Sequence, residues 1–453
     1  MKTLSVLSGL GLFTLFSEIF GFKKLVRPLL ILGLLATLVV SLFDWNTNEI
    51  LFHGMWQTSR YSVLFSSLLI LVTLIWFLLF PSFFSNENNK VDLAALTVFA
   101  LTGAICMVSF NNMIMLFLGI EILSISMYIL AGSNKADLSS NESALKYFLM
   151  GAFATGFLLF GIALVYGFTG SFELSAIAQK LTTGANSPML TVGILLLVIA
   201  MAFKVSAAPF HFWAPDVYQG APTPVTALMS TVVKTAAFAA FFRLCNNALL
   251  PLRANWTETL VIISGLTILV GNIAAVVQSN IKRMLAYSSI AHAGYMLLAV
   301  ITLNVNAMFI YATAYSIASL SAFSILLIIS SSIGDETISG FRGLARKSPL
   351  LAVVTFVALI SLAGIPPAAG FFAKYYLFSA VLSEGHIGLV LIAVVGSLIG
   401  VYYYFRPVMA LFSSPDDKII ETTPALTKVL LIILSLLTLA LGIAPAGLSG
   451  LMR

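Results

Sequence analysis

The chain has 453 residues, of which 60% are hydrophobic and only 9% charged, against roughly 25% charged in an ordinary soluble domain. That leaves too little polar surface to face water, which excludes the soluble enzyme and soluble binding-module classes and points to a bilayer. The formal charge of +6 is spread over short loops, as expected of topological charge and not of a nucleic-acid surface.

A bilayer crossing needs about 20 mainly apolar residues. About fourteen such segments follow one another, at 4–22, 26–43, 61–80, 91–110, 113–131, 144–168, 187–212, 222–247, 257–278, 284–303, 306–333, 350–382, 387–412 and 426–448. The expected fold class is therefore an all-α polytopic membrane protein. The first segment holds Glu18 and no small-residue cleavage site, so it reads as a retained span and not a signal peptide. Cys106 and Cys245 stand singly in apolar segments, with no spacing for a disulfide or a metal site. Loops after odd-numbered spans collect Lys23, Lys24, Arg27, Lys90, Lys135, Lys282, Arg283, Arg342, Arg346, Lys347 and Lys418. The opposite side has mainly Lys2, Arg60, Lys180, Arg253 and Arg453. By the positive-inside rule the first group faces the cytoplasm and both termini are extracytoplasmic.

Ionisable groups within the spans carry the functional signal, because a charge at the bilayer centre costs about 2.5–3.5 kcal/mol even on gentle insertion scales. Glu121, Lys204, Lys234 and Lys374 stand out, with His292 as a further titratable group. Glu121 follows the Asn111–Asn112 pair by about nine residues, a depth of roughly 13 Å along a helix. Lys204 and Lys234, counted from the Pro215–Asp216 and Pro222 turns, would both lie about 18 Å deep. Lys374, counted back from Gly385, falls at a similar level. For any one residue a structural ion pair between helices is the plain reading. One carboxylate cannot neutralise three ammonium groups, however, and burial disfavours the charged form of a lysine. A lysine without a permanent partner reads as a proton relay.

Pro209 should break span seven close to Lys204, and Pro366–Pro367, flanked by Gly364 and Gly370, should break span twelve close to Lys374. Freed carbonyls at membrane depth are tolerated only where protein or water satisfies them, and broken helices beside charges mark ion sites in transporters. The breaks occupy the fourth place in two successive groups of five spans. Five crossings are odd in number, so the second copy of such a repeat is inverted. The expected organisation is three leading spans in 1–85, a first five-helix repeat in 91–247, an inverted second repeat in 257–412 and a last span in 413–453. Phe212 and Trp213 read as interfacial groups, His211 as interfacial or hydrogen-bonded and not catalytic, Tyr402, Tyr403 and Tyr404 as interfacial or packing groups, and Lys146 as an i, i+4 partner of Glu142 or an extension of the row.

The run PFHFWAPDVYQGAPTPVTALMSTVVKTAAFAAFFRL at 209–244, with GIEILSISMYIL around Glu121 and NIKRMLAYSSIAHAGYML at 280–297, resembles the antiporter-like membrane subunits of proton-pumping NADH:quinone oxidoreductase, respiratory complex I. PDVYQGAPTPV is similar to the subunit N type. The resemblance spans roughly 90–410. It implies a non-redox, proton-translocating subunit in which Glu121 and Lys204 form a switchable pair, Lys234 is a central relay and Lys374 serves the second half-channel. His292 is at a plausible connecting place. The resemblance also implies no cofactor bound by this chain, in keeping with the lack of a Gly-rich dinucleotide fingerprint or a cysteine cluster. It implies an inner-membrane location, subunits M and K as neighbours, and quinone held by another subunit. Two other readings stay open: a subunit of a multisubunit sodium/proton antiporter, and a structural or lipid-handling membrane protein whose lysines only pair helices.

Overall fold

The computed structural model describes residues 2–85, 90–182, 187–414, 423–445 and 447. Lys418 and Arg453, counted above as topological charge, lie outside them. The helices in chain order are α1 (Lys2–Phe16), α2 (Val26–Phe43), α3 (Arg60–Leu79), α4 (Lys90–Ser109), α5 (Met113–Ala131), α6 (Leu138–Thr169), α7 (Leu174–Thr182), α8 (Pro188–Lys204), α9 (Trp213–Gly220), α10 (Thr223–Leu228), α11 (Lys234–Arg243) and α12 (Arg253–Val276). They continue with α13 (Ile281–Ile301), α14 (Val305–Ile333), α15 (Leu344–Lys347), α16 (Pro349–Ala363), α17 (Ala369–Ser383), α18 (Ile387–Phe412) and α19 (Ala425–Ile443).

Among the described residues eleven helical segments are long and apolar enough to cross a bilayer, and α1, α8 and α16 are shorter apolar helices. The eleven and the three fall on the fourteen segments read from the sequence. Outward faces are apolar, as lipid requires: Leu32, Val39 and Phe43 on α2, and Ile125 and Ile129 on α5, are exposed. A two-stranded hairpin, β1 (Glu49–Leu51) with β2 (Trp56–Thr58), joins α2 to α3. Nothing in an apolar-span reading anticipates it.

Both expected breaks are present. α8 ends at Lys204, and the chain turns at Ser206, whose φ is +62°, before Pro209. α16 ends at Ala363 with Gly364 in the left-handed region at φ +82°, and α17 resumes at Ala369. Each break contains one cis prolyl bond, Ala208–Pro209 and Pro366–Pro367. One expectation is corrected: Pro215 and Asp216 lie within α9 and not in a turn, since proline is well tolerated in the first turn of a helix. The turn itself is Ala221–Pro222, between α9 and α10.

Contacts divide the chain into two compact units. The first contains Met1–Ser206, Gly220–Pro222 and Val232–Leu260, and in it α4 packs on α5, α6 on α8, and α11 on α3, α4 and α8. α4 and α5 touch backbone to backbone: a Cβ on Gly103 would fall 2.5 Å from the Leu123 nitrogen and 2.8 Å from the Gly119 carbonyl. The second contains Ala207–Gln219, Thr223–Thr231 and Val261–Arg453, with α14 packed on α10, α13, α16 and α17, and α16 on α18.

The two units repeat the same local devices. In the first, the Asn112 side chain caps α5 by accepting from the Ile114 nitrogen, α6 ends on left-handed Gly170, and Glu173 returns to pair with Asn112. In the second, Asn280 caps α13 by accepting from the Arg283 nitrogen, α14 ends on left-handed Gly334, and Thr337 returns to pair with Asn280. An oxygen-bearing cap and a left-handed terminus each satisfy otherwise orphaned backbone groups at the ends of a span.

Candidate functional site

In the first unit Glu121 and Lys204 are each held by a hydroxyl. Glu121 lies on α5, one turn before Ser124. The Thr155 hydroxyl of α6 donates to Glu121 Oε1 at 2.7 Å. Lys204 is the last residue of α8, and its Nζ donates to Ser124 Oγ at 2.7 Å, while Ser124 Oγ donates to the Ile120 carbonyl at 2.5 Å. Glu121 and Lys204 therefore make no ion pair with each other among the described residues. Ser124 stands between their roles, bonded to the lysine and on the helix of the glutamate. The ammonium also sits at the C-terminal end of α8, where the last carbonyls and the helix dipole favour a cation.

Lys234 is 3% exposed and opens α11 directly after a π-helical turn, Met229–Val233. Such a turn inserts an extra residue into the helix, re-aims the side chains that follow, and recurs at functional sites. At the far end of α11, buried Arg243 donates from Nη2 to Gln57 Oε1 at 2.7 Å and from Nη1 to the Val108 carbonyl at 3.3 Å, with Tyr61 and Phe110 against its face. Lys146 forms its i, i+4 pair with Glu142 at 2.6 Å on a partly exposed face.

In the second unit Lys374 is buried in α17, past the break and not before it. Its Nζ nevertheless reaches back to the Ala363 carbonyl at 2.8 Å, the last residue of α16, and donates to Ser397 Oγ on α18 at 2.9 Å. The Tyr295 ring lies 5.0 Å away. Lys204 and Lys374 thus place their ammonium groups at the same kind of position, the C-terminal end of the first half of a broken helix, by different sequence routes. Gly364 makes room for this: a Cβ there would come within 2.7 Å of Lys374 Cδ.

His292 and Lys374 line one small cavity together with Tyr311, Tyr315, Ser361 and Gly370. It has space for about one water molecule. His292 Nδ1 is 2.6 Å from the Tyr311 hydroxyl and Nε2 is 3.1 Å from that of Tyr404, which also contacts Ser288. Tyr403 donates to Asn272 Oδ1 at 3.2 Å, and Asn272 Nδ2 donates to the Tyr295 hydroxyl at 3.2 Å. Tyr402 is exposed, whereas Tyr403 and Tyr404 are buried and belong to this polar network, which is the packing alternative for those two. His211 is also buried, while its neighbour Phe212 is exposed. Two motif segments meet at α9 and α13: Arg283 Nη1 donates to Asp216 at 2.9 Å and to Gln219 at 2.8 Å.

A family model for the transmembrane domain of NADH:quinone oxidoreductase and Mrp antiporter subunits matches residues 110–400. NADH-quinone oxidoreductase subunit N of Cytophaga hutchinsonii is 48% identical over 451 residues, covering 98% of each chain. The chain belongs to the subunit N family of NADH-quinone oxidoreductase. A chain of respiratory complex I from Thermus thermophilus superimposes with a TM-score of 0.87 at 35% identity, covering 99% of this chain and 98% of that one. A chain of the Mrp complex from a Dietzia species has a TM-score of 0.89 at 21% identity, over 99% and 95% of the two chains, a likeness of fold. The family confirms the resemblance carried by PDVYQGAPTPV, GIEIL and NIKRMLAYSS. Ser124, Thr155, Ser397 and Tyr311, which contact the site residues, were not singled out from sequence, and Tyr404 was named only as an interfacial or packing group, because a hydroxyl in a span has no cost that marks it.

Proposed function

We propose that this chain is a proton-translocating, non-redox subunit of an NADH:quinone oxidoreductase, with Glu121, Lys204, Lys234, His292 and Lys374 as proton-carrying groups. The observation that carries the reading is the kind of partner the buried lysines have. Ser124 holds Lys204, and Ser397 with the Ala363 carbonyl holds Lys374; neither lysine is matched to a carboxylate among the described residues. A hydroxyl both donates and accepts, so it can serve an ammonium and, after deprotonation, an amine. A fixed ion pair would trap the proton, whereas a hydroxyl partner lets it leave. Glu121, one helical turn from Ser124, supplies the charge that biases Lys204 when the two approach, and Lys234 receives the proton next.

The chain itself binds no redox cofactor in this reading. Electron transfer and quinone binding belong to other subunits, with M and K as membrane neighbours, and both termini face outward from the cytoplasm. Each proton moved against 100 mV costs about 2.3 kcal/mol, a modest load on one redox turnover. The test is Lys204→Ala in the assembled complex. Quinone-coupled pumping should be lost or strongly reduced while NADH oxidation by an artificial acceptor persists. Unchanged pumping sinks the proposal, and sodium-dependent proton exchange without NADH favours the antiporter reading.

A further inference from the structure

An open cavity of about 180 Å³ lies in the first unit, where α2 and α4 begin and α3 ends. Lys23, Arg27 and Lys90 line it, with Val26, Leu30 and Phe84 as apolar walls. We propose that it binds the phosphate of an anionic phospholipid headgroup.

Four observations converge. Three cationic side chains face one space. Arg27 donates weakly from Nη2 to the Phe77 carbonyl at 3.4 Å, and its Nε is buried with no hydrogen-bond partner among the described residues. Glu18 pairs with Lys23, and Arg27 has no carboxylate among the described residues. α2 and α4 both begin beside the cavity, so the positive ends of two helix dipoles lie on its side.

An exposed apolar stripe beside the cavity separates a lipid from free phosphate. Val26 and Leu30 are buried, on the opposite side of α2 from the exposed apolar stripe of Leu32, Leu35 and Val39, and Arg27 stands at the edge between the two faces. A phosphate held at Arg27 would therefore have its acyl chains running over that exposed stripe. Basic pockets among span ends on the side enriched in Lys and Arg are the recognised setting for acidic headgroups. The Lys23–Arg27 segment belongs to that side by the positive-inside count.

The experiment is native mass spectrometry of the purified, delipidated complex containing this chain, titrated with phosphatidylglycerol, phosphatidylethanolamine or inorganic phosphate. The wild type should retain phosphatidylglycerol at least severalfold over phosphatidylethanolamine, and retention should fall as salt rises. R27Q should lose the preference, and R27K should keep most of it. Equal retention of the two lipids by the wild type overturns the proposal even if R27Q fails to assemble. Equal preference in R27Q and wild type also overturns it. Displacement of the lipid by millimolar inorganic phosphate makes the cavity a free-anion site and overturns the lipid assignment.

Discussion

The Lys374 ammonium lies 2.8 Å from the Ala363 carbonyl, so a side chain rooted in the second half of a broken helix closes the end of the first. The break and the charge are one device. The left-handed turn at Gly364 frees a carbonyl end, and the lysine occupies it. Replacing Lys374 by Met removes the proton-carrying group and leaves the Ala363 carbonyl with only the long 3.5 Å contact from Ser397 Oγ. The complex is expected to assemble with reduced stability and to lose proton pumping, read as acidification of proteoliposomes during quinone reduction.

Gly364→Ala tests the space for that contact. An L-residue in the left-handed region costs about 1–2 kcal/mol, and the new Cβ would press on Lys374 Cδ at 2.7 Å. Thermal stability should fall modestly and pumping should fall more than stability explains. A variant that loses stability but pumps normally would separate the glycine from the lysine.

Ser124→Ala removes the hydroxyl that accepts from Lys204. A hydrogen bond to a charged group contributes about 1.5–3 kcal/mol, and each 1.4 kcal/mol in a barrier is about tenfold in rate. Pumping is expected to drop by about tenfold or more, while Ser124→Thr, which keeps a hydroxyl, should retain most of it. The paired measurement is proton uptake per NADH in both variants at equal assembly.

Tyr404→Phe removes the hydroxyl that contacts both His292 Nε2 and Ser288. His292 keeps Tyr311 at Nδ1. A partial loss of pumping, smaller than that of Lys374→Met, is expected, and adding Tyr311→Phe should deepen it. Full activity of the double variant would remove His292 from the proton path.

Gly103→Ala addresses packing alone. Its Cβ would meet the backbone of α5 at Leu123 and Gly119, and overpacking of this kind costs about 1–3 kcal/mol. The expected result is a lower yield of assembled complex and a lower melting temperature, with normal proton-to-electron ratio in the fraction that assembles.

The spans and the breaks were legible because each rests on a large and local term. Apolar runs of membrane length fold one way, and Pro209 and Pro366–Pro367 cannot continue a helix. The charges were legible for the same reason, since Lys204, Lys234 and Lys374 are expensive where they stand. What stayed hidden depends on small terms or on tertiary approach. The π-helical turn before Lys234 adds one residue to a helix whose composition hardly changes. Pro215 was read as a turn because proline at a helix start and proline in a loop look alike without a partner in view. Tyr403 and Tyr404 differ from Tyr402 only in which way α18 faces, a difference that emerges from their approach to Asn272 of α12 and to Ser288 and His292 of α13. Lys374 looked equivalent to Lys204 by nearness to a proline; that its ammonium also reaches a helix end depends on a side chain folding back across the break.

The central claim is that buried lysines carry the pumped protons, and Lys234, between the two π-helical turns of its span, is the place to test it. The measurement is the proton-to-electron ratio of the assembled Lys234→Ala complex in sealed proteoliposomes, with NADH oxidation by an artificial acceptor recorded on the same preparation. A collapsed ratio with intact NADH oxidation is the predicted result. A wild-type ratio at full assembly would contradict the account.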